Sequence, residues 1–168
     1  MTNIVPDIQI YESLPEGFST TIQAAGIYVK VADKLLFLEY ADTKPETGKC
    51  AIPGGKIEAH ETPIQGARRE LFEETGITIE SENALQPLGT VYIRKTTHEV
   101  TIEFVFHVFG LNIDTTVPIH LSTEHRAYTW TTIPQVKDLS LVLGGQYMLD
   151  FYIQKSAKKT RSSANVNT

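Results

Sequence analysis

The feature that most constrains this chain is a segment, in the first half of the sequence, that marks both ends of one helix. Thr62 is a favourable N-cap residue, and Pro63 suits the first helical position, where no N–H partner is needed. Gln65 stands three residues after Thr62, so a capping box can form. Gly76 can end the helix in the left-handed conformation. The sequence therefore predicts a helix over residues 63–75.

This helix is predicted to have an apolar side and an acidic side. On a 3.6-residue wheel, the apolar side collects Ile64, Ala67, Leu71 and Thr75. The acidic side carries Glu70, Glu73 and Glu74, and such like charges destabilise an isolated helix by about 0.2–0.5 kcal/mol per pair. Arg69 can pair with Glu73 but cannot neutralise all three. A solvated acidic face is one interpretation, and a site for a hard cation such as Mg²⁺ or Mn²⁺ is the other.

The spacing of the whole segment is more specific than the helix. Five residues separate Gly55 from Glu61, and seven more separate Glu61 from Arg69. The pattern resembles the Nudix box, G-x5-E-x7-R-E-U-x-E-E-x-G-U with U aliphatic, and it matches at every fixed position through Ile77. The resemblance implies a single α/β domain, a Nudix-type α/β/α sandwich with a mixed β-sheet between helices. One departure is Cys50, which stands where the family commonly has a tryptophan and which we interpret as a small buried residue.

The resemblance also implies roles for individual residues. Divalent metal ions, Mg²⁺ or Mn²⁺, would be held by three carboxylates and one backbone carbonyl: those of Glu70, Glu73, Glu74 and Gly54. Arg69 would orient two carboxylates, those of Glu61 and Glu73. The glycine pair that opens the box would let the main chain approach metal and phosphate closely.

The general base is less tightly specified, because in this family it often lies outside the box. Glu124 is the first candidate because it precedes the last predicted strand, Glu103 is the second and Glu61 is the third. His98 and His125 are able to contact phosphate, but lone histidines more often serve packing or the surface, so neither is included.

Composition narrows the class of protein. The chain has 168 residues and a net charge of −5, which argues mildly against a stable complex with nucleic acid. Cys50 is the single cysteine, so no internal disulfide can form. No apolar run is long enough to span a membrane, and the N-terminus lacks the features of a signal peptide. We expect a cytoplasmic enzyme without membrane contact, and the sequence leaves a homodimer open.

The rest of the chain is divided by its turn residues and hydrophobic patterns. We expect a lead-in over residues 1–18 with a strand near 8–11, a domain over 19–157, and a disordered tail over 158–168. Strands are predicted at 20–31, 34–40, 85–95, 100–109 and 128–130. A short helix is predicted to begin at Ile133 and a longer one to cover 142–156, whereas residues 41–49 read as an exposed loop.

The resemblance to the Nudix family implies Mg²⁺-dependent hydrolysis of a diphosphate linkage in a nucleotide derivative. A nucleoside triphosphate cleaved to the monophosphate and pyrophosphate is the preferred substrate, because the chain is short and shows no extra substrate domain. A nucleotide sugar or ADP-ribose is the nearest alternative, and a capped RNA end or a dinucleoside polyphosphate is a more distant one. A non-catalytic nucleotide sensor could dispense with the box glutamates, and all three are present. A prenyl diphosphate isomerase would need a cysteine and glutamate pair that we do not find.

Overall fold

The structure, a computed structural model, describes residues 7–97 and 100–164. The strands are β1 (Asp7–Tyr11), β2 (Gln23–Val31), β3 (Lys34–Tyr40), β4 (Cys50–Ala51), β5 (Gly54–Lys56), β6 (Gln86–Thr97), β7 (Val100–Asn112) and β8 (His125–Thr132). The α-helices are α1 (Pro63–Thr75) and α2 (Gly145–Ala164), and short 3₁₀ helices cover Glu82–Ala84 and Ile133–Asp138.

The strands form one mixed sheet that lies between the two α-helices. The main strand order is β1-β6-β7-β2-β3-β4, with β5 paired to β2 and β8 paired to β3. The pair β2–β7 is parallel and the other pairs are antiparallel. One buried core packs beneath α1 and a second packs beneath α2, where the rings of Tyr28 and Tyr152 stack at 4.2 Å. The expected α/β/α sandwich is therefore confirmed.

One edge of strand β2 pairs with β7, and its other edge pairs with β3 at one end and with β5 at the other. The pairing with β5 positions the box. The last residues of β2, Lys30 and Val31, pair with β3 in a tight hairpin. Its first half pairs instead with β5, so that Gly26 lies opposite Gly54 and Ala25 lies opposite Gly55. Because β5 pairs with β2, the box glycines lie within the sheet, beside the buried residues of β2.

Most predicted elements are present, and the differences lie at their ends. The hairpin of β2 and β3, the exposed loop at 41–49 and the buried position of Cys50 are confirmed. The last helix was predicted wrongly at both ends, because it begins at Gly145 and continues to Ala164. Residues 158–164, expected in a disordered tail, are helical in a segment that contains the helix formers lysine, arginine and alanine. Residues 165–168 lie outside the described part of the chain.

Across residues 7–97 and 100–164, the structure contains no helix that is both long enough and apolar enough to cross a lipid bilayer.

Candidate active site

Helix α1 has the local structure that its sequence specifies. The Thr62 side chain accepts a hydrogen bond from the Gln65 N–H, and the Gln65 side chain accepts one from the Thr62 N–H. Gly76 ends the helix with φ at 73°, and its N–H donates to the Phe72 carbonyl. Leu71 and Thr75 are buried on the sheet side, so the acidic side is turned toward the β5 segment.

Arg69 links the start of the box to the helix. Its guanidinium donates to both carboxylate oxygens of Glu61, at 2.7 and 2.9 Å. It also donates to Glu70 at 2.7 Å, to Glu73 at 3.1 Å and to the Lys56 carbonyl at 2.9 Å. The two contacts expected from the resemblance are present, and the contact with Glu70 is additional. The hydrogen bonds from Arg69 lower the pKa of Glu61 to about 2.

Glu74 follows Arg69 by five residues on α1, but its environment differs from that of Glu61. Its side chain is 8% exposed, and one carboxylate oxygen accepts the Gly54 N–H at 2.8 Å. The other oxygen is 3.8 Å from His125 Nε2, beyond hydrogen-bonding distance. Burial, with the charges of Glu70 and Glu124 nearby, raises the pKa of Glu74 to about 8. Within the described part of the chain, this buried carboxylate has no arginine or lysine partner at contact distance.

The glycines of β5 make room for the half-buried carboxylate of Glu70. A Cβ placed on Gly55 would lie 2.6 Å from the carboxyl carbon of Glu70. Only glycine therefore allows Glu70 to lie against the β5 backbone. Burial also raises the pKa of Glu70. Glu70 and Glu74 are two hard oxygen donors held beside the backbone of Gly54 and Gly55, a donor set that fits Mg²⁺ or Mn²⁺.

Glu124 is the candidate general base that the fold brings to these carboxylates. Its negative charge contributes to the raised pKa values of both Glu70 and Glu74, so it lies within electrostatic range of both. Its carboxylate is 53% exposed and accepts a hydrogen bond from Lys44 Nζ at 2.7 Å. The Ala41 N–H donates to the Glu124 carbonyl at 2.9 Å and ties this segment to the 41–49 loop.

The other two candidates for the general base are occupied by arginines. Glu103 forms an ion pair with Arg94 at 2.6 Å and accepts the Ser19 N–H at 2.9 Å. Along β7, Glu103 precedes the level of Gly54 by five residues, which is about 16 Å. Glu61 is held by Arg69, as described above. Of the two histidines considered, His125 is buried next to Glu74, and His98 lies outside the described residues.

A second acidic group lies before α1. The ligating atoms of Glu58, His60 and Glu61 come within 4.8 Å of one another. Glu58 and His60 are exposed to solvent, and both oxygens of Glu61 already accept hydrogen bonds from Arg69. Glu70 and Glu74 are therefore the better candidate metal centre, because the buried Glu74 accepts no hydrogen bond from an arginine and Glu70 accepts one at a single oxygen.

An apolar cavity of about 230 Å³ opens beside the box glycines, on the α2 side of the sheet. Gly54 and Gly55 line one end of it, and the same two residues contact Glu74 and Glu70 as described above. Sequence reasoning missed this cavity. Its walls combine the lead-in strand, the 41–49 loop, the strands β6 and β7 and the segment before α2, which are far apart along the chain.

Comparison with known proteins agrees with the geometry. A family model for the NUDIX domain matches residues 20–150. A MutT-like protein from Streptomyces ambofaciens is 31% identical over 133 residues, which are 77% of this chain and 77% of that protein. The MutT protein from Methanosarcina mazei has a similar fold, with a TM-score of 0.64 at 23% identity over 82% of this chain and 94% of that one.

A further structure with this fold is a bifunctional NMN adenylyltransferase/ADP ribose pyrophosphatase from Francisella tularensis, solved with AMP and a Mn ion. The TM-score is 0.64 at 18% identity, over 83% of this chain and 43% of that one. The complete box and a family model that spans most of the sequence lead to one conclusion: this chain belongs to the Nudix family and is a Nudix hydrolase.

Proposed function

We propose that this hydrolase cleaves the diphosphate linkage of a nucleotide, with a nucleoside triphosphate as the preferred substrate and a nucleoside monophosphate and pyrophosphate as products. The observation that carries the proposal is the buried carboxylate of Glu74 beside the half-buried Glu70, both against Gly54 and Gly55, which also line an apolar cavity. Phosphates at the glycines would meet the acidic residues on one side, and the attached organic group would enter the cavity on the other.

Each residue of the site has a proposed part in this reaction. Glu70, Glu73 and Glu74, with the Gly54 carbonyl, would hold Mg²⁺ or Mn²⁺, which when bound neutralises phosphate charge and lowers the pKa of a water molecule. Arg69 orients Glu70 and Glu73 through its hydrogen bonds.

Glu124 would act on the water that attacks. It takes the proton of that water as the new phosphorus–oxygen bond forms and the anhydride bond breaks. Its exposure, its single lysine partner and its place in electrostatic range of Glu70 and Glu74 support this role over those of Glu103 and Glu61.

ADP-ribose or a nucleotide sugar is the second candidate substrate. It is favoured by the structural similarity to the bifunctional NMN adenylyltransferase/ADP ribose pyrophosphatase, and the cavity would accept the adenine ring of ADP-ribose.

The test is a substrate panel with controlled metal. The purified protein is incubated with each nucleoside triphosphate, with ADP-ribose and with a nucleotide sugar, and products are separated by chromatography. We expect monophosphate and pyrophosphate from at least one triphosphate with Mg²⁺ or Mn²⁺, no product with a chelator, and turnover slower by about 10²-fold or more with Glu74→Gln. Faster formation of AMP and ribose 5-phosphate from ADP-ribose would favour the second candidate. Full turnover in metal-free buffer would overturn the proposal.

A further inference from the structure

Two charged side chains of opposite sign stand at the wall of the cavity. Of the residues lining it in the described part of the chain, Glu46 and Lys95 carry the charges, and most of the others are apolar. Glu46 belongs to the 41–49 loop and Lys95 belongs to β6, and Lys95 Nζ donates to Glu46 Oε2 at 2.9 Å. Their side chains are 26% and 29% exposed, so both are partly withdrawn from water.

The hydrogen bonds of Glu46 join three distant segments and leave capacity for a ligand. Its Oε1 accepts the Leu143 N–H at 2.7 Å, in the segment that leads into α2. Each carboxylate oxygen can accept a second hydrogen bond, and the Lys95 ammonium has two further N–H groups. A partly desolvated pair with spare acceptors and donors gains when a ligand supplies complementary groups, because both charges have already lost part of their water.

The remaining walls suit a flat ring. Phe104 and Phe106 meet edge to face with ring centroids 6.4 Å apart, and Ile8, Ile10 and Met148 close other sides. The cavity volume of about 230 Å³ is below the roughly 300–1,000 Å³ of a site for a drug-sized molecule. It therefore suits one planar group of a substrate rather than a whole nucleotide.

We propose that Glu46 and Lys95 determine nucleobase specificity by reading the polar edge of a 6-oxopurine such as guanine. Glu46 accepts a hydrogen bond from the ring N–H or the amino group, and Lys95 donates to the neighbouring carbonyl oxygen. Lysine is a common partner of the guanine carbonyl, whereas adenine is best read by an amide that both donates and accepts. This inference rests on the proposed function, because it assigns the organic group of the same substrate.

The variants Glu46→Gln and Lys95→Met test the pair. The glutamine keeps an oxygen for the Leu143 N–H, so the loop can stay attached, and methionine keeps the apolar stem of lysine. The control is Glu39→Gln, which removes an ion pair between β3 and Arg126 on β8, and neither residue lines the cavity. Turnover of GTP, ITP and ATP is measured for each variant, together with binding of GMP and AMP by calorimetry without metal.

We expect parental kcat/KM to favour GTP and ITP over ATP. Each variant of the pair should lower kcat/KM for GTP and ITP by about 10-fold or more, mainly through KM, with little loss for ATP. GMP binding should weaken by a similar factor, and Glu39→Gln should leave both the preference and the binding as in the parent. Equal effects on GTP and ATP, or no effect on either, would overturn the inference while leaving hydrolysis intact. Weakened GMP binding in a protein that hydrolyses no nucleotide would instead reject the proposed function alone.

Discussion

Glu61 and Glu74 are two carboxylates of the same box, and the protein places them in opposite environments. Both side chains are less than a tenth exposed, at 9% and 8%. Glu61 accepts two hydrogen bonds from Arg69, and its pKa falls to about 2. Glu74 has one backbone N–H and two other carboxylates near it, and its pKa rises to about 8. Arg69 supplies Glu61 with a cation from the chain itself, whereas the environment of Glu74 fits its proposed role as a ligand of a cation from solution.

The largest expected effect comes from removing the charge of Glu74 or of Glu61 by substitution with glutamine. Glu74→Gln keeps the shape and an acceptor for the Gly54 N–H but removes the charge that would hold metal. We expect kcat to fall by about 10²-fold or more, with metal-free stability unchanged or higher. Glu61→Gln should mainly lower stability, by about 1–2 kcal/mol in unfolding free energy, because Arg69 loses the one carboxylate that accepts two of its hydrogen bonds. Both variants are measured by steady-state kinetics and by chemical denaturation. A Glu74→Gln variant that is much less stable than the parent but keeps its turnover would contradict the comparison.

The second prediction separates the general-base candidates by the same criterion of arginine pairing. Glu124→Gln should lower kcat by about 10²-fold with little change in substrate affinity, because the metal ligands remain. The acidic limb of the pH–rate profile, which reports ionisation of the base, should also disappear. Glu103→Gln removes a carboxylate already held by Arg94 and Ser19, so we expect near-parental turnover. Parental turnover and an unchanged profile in the Glu124 variant would assign the role elsewhere.

A smaller effect is expected from adding one methyl group at either of two glycines of the box, Gly55 or Gly66. In Gly55→Ala the new Cβ would lie 2.6 Å from the Glu70 carboxyl carbon, so this flexible side chain must move. We expect about a 10-fold loss of kcat/KM with little change in melting temperature. In Gly66→Ala the new Cβ would instead lie 2.9 Å from Ile57 Cγ1 and 3.2 Å from Glu61 Oε2, and neither Glu70 nor Glu74 is among its nearest neighbours. Turnover within about twofold of the parent is expected there, and equal losses in the two variants would argue against the distinction.

The parts of this molecule that sequence predicts are those fixed by local signals. The caps of α1 depend on Thr62, Gln65 and Gly76, which act within one helical turn. The short strands β4 and β5 were not predicted, because they exist through pairing with β3 and β2. The length of α2 was also missed, since its last residues have little apolar content and read as a tail.

The same distinction between local signals and long-range contacts applies to the candidate active site. The spacing of the box indicates the acidic residues and Arg69, but not which carboxylate Arg69 neutralises and which it leaves alone. The cavity and the contacts of Glu46 were not foreseen. The two hydrogen bonds of Glu46 are made with residues that are 49 and 97 positions away in the sequence. No pattern within a window of sequence reports such a meeting, and only the folded chain places these groups together.

The most direct test of the central claim is the stability of the metal-free protein across pH, measured for the parent and Glu74→Gln. The folded pKa of Glu74, about 8, lies above its ordinary value of 4.5. Its contribution is therefore fully favourable below pH 4.5 and is lost as pH rises through 8. We expect parental unfolding free energy to fall relative to the variant by up to about 5 kcal/mol over this interval. Mg²⁺ or Mn²⁺ should restore the parent at pH 8 and leave the variant unchanged. Parallel pH curves with no response to metal would contradict the account.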